Sequence, residues 1–146
     1  MHFPHHTTLH TGLGPNRLHV AVARRFTARL RGVIAASNWP QRFASDQPVG
    51  LLLPACTSVH GCFVRHPLDL LYLDGHAHVA SQAGAHWSAQ VVHTGRLLPW
   101  SVHAGRVSAV HQALGWRCRH VLELPAGAID HYQVRPGDVL ELHAWP

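Results

Sequence analysis

Residues 50–81 read GLLLPACTSVHGCFVRHPLDLLYLDGHAHVAS, a succession of apolar runs too short for helices. Pro, Gly and polar residues break them every few positions. Runs of that length and punctuation specify β-strands. Residues 51–53 make one apolar strand and 58–64 a second. Residues 68–73 make a third, too apolar to be exposed on either face. Asp74-Gly75 has the composition of a hairpin turn. Residues 76–81 then return as a fourth strand, antiparallel to the third. A chain with this centre folds as a β-rich domain.

The flanks add fewer elements. Leu18, Val20 and Val22 alternate with His19 and Ala21, as in a first strand. Phe26, Leu30, Val33 and Ile34 share one face of a helix. Arg24, Arg25, Arg29 and Arg31 occupy its remaining surface, and Ser37, Asn38 and Pro40 end it. Residues 90–94 suit another strand. The tetrapeptide VLEL occurs at 121–124 and again at 139–142, each time as a strand. Alternation there sends Glu123 and Glu141 to water and the leucines to the core. A short helix is expected within 125–133, followed by a turn at 135–138 that Asp138 serves. Residues 1–16 are rich in His, Thr, Gly and Pro and lack a hydrophobic period. They read as a flexible tail, leaving 17–146 as one β-rich domain.

A domain of 146 residues buries enough surface to be stable without a disulfide framework or a structural metal. The three cysteines, Cys56, Cys62 and Cys118, are odd in number and lack a CxxC spacing. That pattern fits a reducing cytoplasm. The first residues have no apolar core of signal-peptide length. No stretch approaches ~20 apolar residues, so no membrane insertion is expected. The net charge is +5, and no acid precedes Asp46, whereas Arg17, Arg24, Arg25, Arg29, Arg31 and Arg42 all do. The basic first third is an electrostatic footprint for nucleic acid, although basic faces more often serve only solvation.

Three pieces of the chain resemble a known family. Arg29 with Arg31-Gly32-Val33-Ile34 is similar to an Arg-x-x-Gly-Leu-Met helix. The run from Val59 through Arg65-His66-Pro67-Leu68-Asp69 to Tyr72-Leu73-Asp74 is similar to a His-Thr-x-x-Met, Pro-Leu-Asp, Phe-Leu-Asp strand pair. Val121-Leu122-Glu123-Leu124-Pro125-Ala126-Gly127 followed by Pro136-Gly137-Asp138 is the third. In that order they resemble the bacterial and archaeal family called domain of unknown function 192, over residues 18–142. The resemblance implies a mainly β (α+β) fold, a compact barrel-like arrangement of short coiled strands with one or two short helices. It implies no known reaction. The chain departs from the pattern at Gly61, where the family has Thr, and at Val64, where it has Met.

Chemistry-bearing side chains cluster around residue 60. Cys56, His60, Cys62 and His66 look like metal ligands by type. On one strand, however, they would span roughly 33 Å, and only His60 and Cys62 could share an ion. No metal or cofactor is expected. Asp69 is more pointed. A carboxylate amid leucines needs a partner, because an unpaired buried charge is expensive. Arg65, Arg29 and backbone N–H groups are the candidates. His60, Arg65, Asp69 and Arg29 are therefore the candidate binding pocket, with a structural ion pair as the plainer use of Asp69. The best reading is a non-enzymatic binding or accessory module for a small ligand or protein partner. Two alternatives stand beside it. One is a hydrolase-like enzyme using His60, Cys62 and Asp69. The other is a nucleic-acid binder using Arg24, Arg25, Arg29 and Arg31.

Overall fold

Side chains alternate across a strand, so a strand whose two faces are both apolar must be covered on both. That rule organises this chain. The computed structural model describes residues 1–25, 33, 38–81 and 84–142, with the backbone alone described for 76–81 and 84–86. The strands are β1 (His5–Thr11), β2 (Gly14–Val22), β3 (Val49–Leu53), β4 (Ser58–His60), β5 (Leu68–Ser81), β6 (Gly84–Leu97), β7 (Val102–Ala104), β8 (His120–Pro125) and β9 (Val139–Leu142). Two short helices are found among the described residues: α1 (Ala109–Ala113) and α2 (Ala128–Tyr132).

Seven strands close into a barrel in the order β1-β2-β3-β8-β5-β6-β9, with β9 returning to β1. Only β2 and β3 pair in parallel. Closure leaves no barrel edge unpaired. Leu9, Leu18, Val20, Leu52, Leu71, Leu73, Ala89, Val91, Leu122, Leu124, Leu140 and Leu142 belong to one buried cluster. These residues come from all seven strands and fill the lumen. A second cluster lies on the opposite face of β3, β8 and β5. It contains Leu51, Leu53, Leu68, Leu70, Tyr72 and Val121, covered by Val33, Val59 and Val64. The small β4–β7 sheet belongs to this cover.

Three expectations change. Residues 1–16 are not a tail: Leu9 is fully buried, and β1 pairs with β2 on one side and β9 on the other. A single leucine among small polar residues was enough, because its neighbours use their backbones for the ladder. Asp74-Gly75 is not a turn. β5 runs straight through it, with Asp74 opposite Gln90 and Gly75 opposite Ala89. Asp74 is buried and accepts from Arg117 N–H (2.9 Å) and Arg119 Nε–H (3.0 Å). The glycine is needed for clearance, since a Cβ there would lie 2.7 Å from His120 Nε2 and 2.8 Å from the Trp87 ring. Finally, Glu123 does not face water. It is 4% exposed, because the outer face of β8 is covered by the second cluster. The helix expected near residues 26–37 lies outside the described residues, apart from buried Val33.

Candidate functional site

Asp69 stands second in β5, opposite Arg96 of β6 and Leu124 of β8. It is 1% exposed. Its Oδ2 accepts from the N–H groups of Gly127 and Ile129, each at 2.9 Å. Its Oδ1 accepts from Arg96 Nε–H at 3.4 Å. The charge is thus balanced by a cation and by the two amides that open α2. Gly127, the residue capping α2, has no side chain to do this itself. An aspartate from a distant strand therefore supplies the cap and pins the 126–129 turn to the barrel wall.

A pocket of about 640 Å³ opens over this anchor. Arg42, Phe43, His66, Pro67, Arg96 and His131 line it, with Gln41, Ala126 and Gly127. Phe43 N–H donates to Ala126 O at 2.9 Å and ties the 41–43 segment to the α2 turn. The Phe43 ring packs against His131 and Tyr132, with centroids 4.6 and 5.0 Å away. Arg96 also lies 3.9 Å from exposed Asp130. Arg42 is exposed and makes no hydrogen bond or ion pair among the described residues. Two guanidinium groups and two imidazoles thus converge on one concavity. Asp69 is not itself part of the lining; it braces two lining residues, Arg96 and Gly127, through its hydrogen bonds.

The candidate residues from the sequence are distributed differently. Asp69 anchors the pocket, but its partners are Gly127, Ile129 and Arg96. His60 is exposed in β4, opposite Val102. Arg65 is exposed in the loop before β5. Neither takes part in the hydrogen bonds of Asp69. Arg24 and Arg25 are exposed just after β2, while Arg29 and Arg31 lie outside the described residues. Sequence reasoning missed Arg42, Phe43, Arg96 and His131. The one signal for them was His66-Pro67, which leads directly into Asp69. Arg42, Arg96 and His131 are separated by long stretches of chain and meet only through the β5–β6 pairing, the Asp69 cap and the Phe43–Ala126 bond.

A second polar cluster lies on the outer face of β5. Tyr72, fully buried, shares a 2.6 Å hydrogen bond with His103 Nδ1, and the His93 ring stacks on His103. Burial raises the Tyr72 phenol well above its usual range, helped by Cys118, Cys56 and Glu123 nearby. Burial also lowers the His93 imidazole, assisted by His103 and Arg106. Cys118 is pushed up to about 11, chiefly by burial. Thiolate is the reactive form. Cys118 should therefore alkylate at neutral pH at least about tenfold more slowly than an ordinary free thiol. Site-resolved mass spectrometry of iodoacetamide labelling checks this, and labelling at a free-thiol rate would contradict it. Among the described residues, no three His, Cys, Asp or Glu side chains gather as metal ligands.

The fold and site define a small closed-barrel protein with a basic surface pocket. The chain belongs to the family of domain of unknown function 192, described as an uncharacterised ACR, whose model matches residues 7–142. The match begins inside β1, within the stretch expected from sequence to be a tail. Two solved structures share the fold. A protein of unknown function from Novosphingobium aromaticivorans DSM 12444 is 15% identical, with TM-score 0.62, over 96% of this chain and 84% of that one. A protein provisionally described as a transcription regulator from Sinorhizobium meliloti 1021 is 20% identical, with TM-score 0.62, over 97% and 96%. No curated protein matches the chain. No helix among the described residues is long and apolar enough to cross a membrane.

Proposed function

We propose that this chain is a non-enzymatic binding module of a reducing cytoplasm, holding a small phosphate- or carboxylate-bearing ligand over Asp69. One observation carries the reading. Arg42, Arg96, His66 and His131 line one pocket, and the buried carboxylate that bonds its Gly127 and Arg96 lies outside the lining. An anion entering there meets donors and positive charge without having to displace Asp69. Guanidinium groups suit this role, since their planar fork matches phosphate and carboxylate oxygens. The Phe43–His131 pair gives a ring-lined wall for the rest of the ligand. Among the described residues the lining holds no Ser, Thr or Cys to act as a nucleophile, which suits holding a ligand rather than cleaving one.

Calorimetric titration with inorganic pyrophosphate tests the reading. The wild-type chain should bind, and Arg42→Gln should weaken binding at least about tenfold, the scale of one lost charge-assisted contact. Asp130→Asn should tighten it severalfold, because the exposed carboxylate competes for Arg96. Absence of binding at millimolar pyrophosphate, or binding unchanged in both variants, would remove the proposal.

A further inference from the structure

Phe63, Leu98, Trp100 and Val102 are 68%, 53%, 67% and 75% exposed. Phe63, Leu98 and Trp100 sit on two loops clasped together, and Val102 opens β7 beside them. Gly61 N–H donates to Ser101 O and Trp100 N–H donates to Gly61 O, both at 2.7 Å. Ser101 Oγ–H closes the second loop on Leu98 O at 2.6 Å. The clasp requires glycine at 61, where a Cβ would lie 2.3 Å from Leu98 O. The Phe63 and Trp100 rings meet edge to face, with centroids 4.9 Å apart. Both are carried on left-handed backbone, with φ of 64° and 61°. That conformation disfavours any residue with a bulky side chain. Stability alone would place Gly or Asn at these positions and bury the rings. Strain of this kind persists where a surface has a use.

The rim is cationic. Arg65 lies two residues after Phe63 and Arg106 four after Val102, and both are exposed. Residues 58–66 and 98–107 contain no Asp or Glu. We infer that this loop pair docks on the surface of an anionic phospholipid bilayer, the rings and aliphatic side chains entering the headgroup boundary. Trp and Phe favour that boundary. Reversible attachment takes two signals, an apolar insertion and basic residues facing anionic headgroups, and both are present. Other occupants fit less well. A folded protein partner buries roughly 800 Å² per side, more than four side chains on two loop tips supply. Single-stranded nucleic acid stacks on open ring faces, whereas these rings are turned onto each other. Attachment is at the surface and independent of the pocket over Asp69.

Co-sedimentation of the whole chain with vesicles tests this. One set is phosphatidylcholine alone, the other roughly two parts phosphatidylcholine to one of phosphatidylglycerol. Partition to the mixed vesicles should exceed that to the neutral ones at least about tenfold at low salt. Phe63→Gly with Trp100→Gly should abolish it while leaving the melting temperature equal to or above wild type, because glycine relieves the left-handed strain. Val102→Glu keeps both rings and should lower partition as strongly, by adding a carboxylate to the face. Wild-type protein left in the supernatant, or either variant partitioning like wild type, overturns the inference. Retention on poly-glutamate without vesicle binding also overturns it, and assigns the face to an acidic polypeptide.

Discussion

Asp69→Ala is expected to cost about 2–4 kcal/mol of folding free energy, the scale for leaving two amides without an acceptor and losing a contact to half-exposed Arg96. The carboxylate is almost wholly enclosed and satisfies three donors at once, Gly127 N–H, Ile129 N–H and Arg96 Nε–H. Alanine leaves two partly buried amides without an acceptor. It also frees Arg96 from the wall of the pocket. At roughly 2–4 °C per kcal/mol for a chain of this size, the melting temperature should fall by about 4–16 °C. Asp69→Asn should fall between wild type and Asp69→Ala, at about 1 kcal/mol. Its oxygen can still accept from the amides, but its NH₂ would face the guanidinium. Urea denaturation of the three proteins measures the series. A loss under about 1 kcal/mol for Asp69→Ala would mean that the α2 turn holds itself.

The second large effect has the opposite sign. Glu123 should make the fold lose stability as pH rises from acid to about 8. It lies between Leu51 of β3 and Leu70 of β5 in the ladder, and its Oε2 has no hydrogen-bond partner. Burial alone raises its carboxyl from 4.5 to about 8. A folded-state value above the unfolded one means that the folded state binds the extra proton between those two values. Stability therefore falls as pH rises from about 4.5 to about 8 and is flat beyond. The full drop is on the order of 3–5 kcal/mol. Tyr72 on the neighbouring strand is kept neutral by its own burial and cannot compensate. His93 and His120, both lowered chiefly by burial, act the other way, stabilising the fold as pH rises from acid toward about 6.5. The Glu123→Gln variant isolates the carboxyl from that opposing trend. At pH ~8.5 it should be more stable than wild type by about 2 kcal/mol, less than the full drop because a buried amide also needs partners. Its stability should no longer decline between pH ~6.5 and 8. Chemical denaturation across that range decides the matter. A parallel decline in both proteins would show that Glu123 ionises freely in the folded state.

These two carboxylates show how unevenly the site could be read in advance. Asp69 announced itself, since an acid between Leu68 and Leu70 needs a partner whatever the fold. Backbone N–H groups were among the partners named for it. Arg96 was not, because it lies 27 residues away and meets Asp69 only through the β5–β6 register. Glu123 was misplaced by a rule that holds for sheets with one wet face. The second VLEL follows that rule better: Val139 and Glu141 are half-buried while Leu140 and Leu142 are enclosed. The first VLEL is identical in sequence yet buried throughout, because β8 sits between β3 and β5 under the outer cluster.

Local periodicity and punctuation suffice for most strands, for the short helix after Pro125, and for the mainly β character of the chain. Those properties depend on neighbours within a few residues. Position in the barrel belongs to another level. Which strand is central, which turn is real, and which five distant side chains share a pocket follow from pairings tens of residues apart. The free energy of those pairings is spread over whole ladders and two cores. No single segment carries it, so tertiary structure alone made β1 a wall, turned Asp74-Gly75 into mid-strand, and sealed Glu123 away from water.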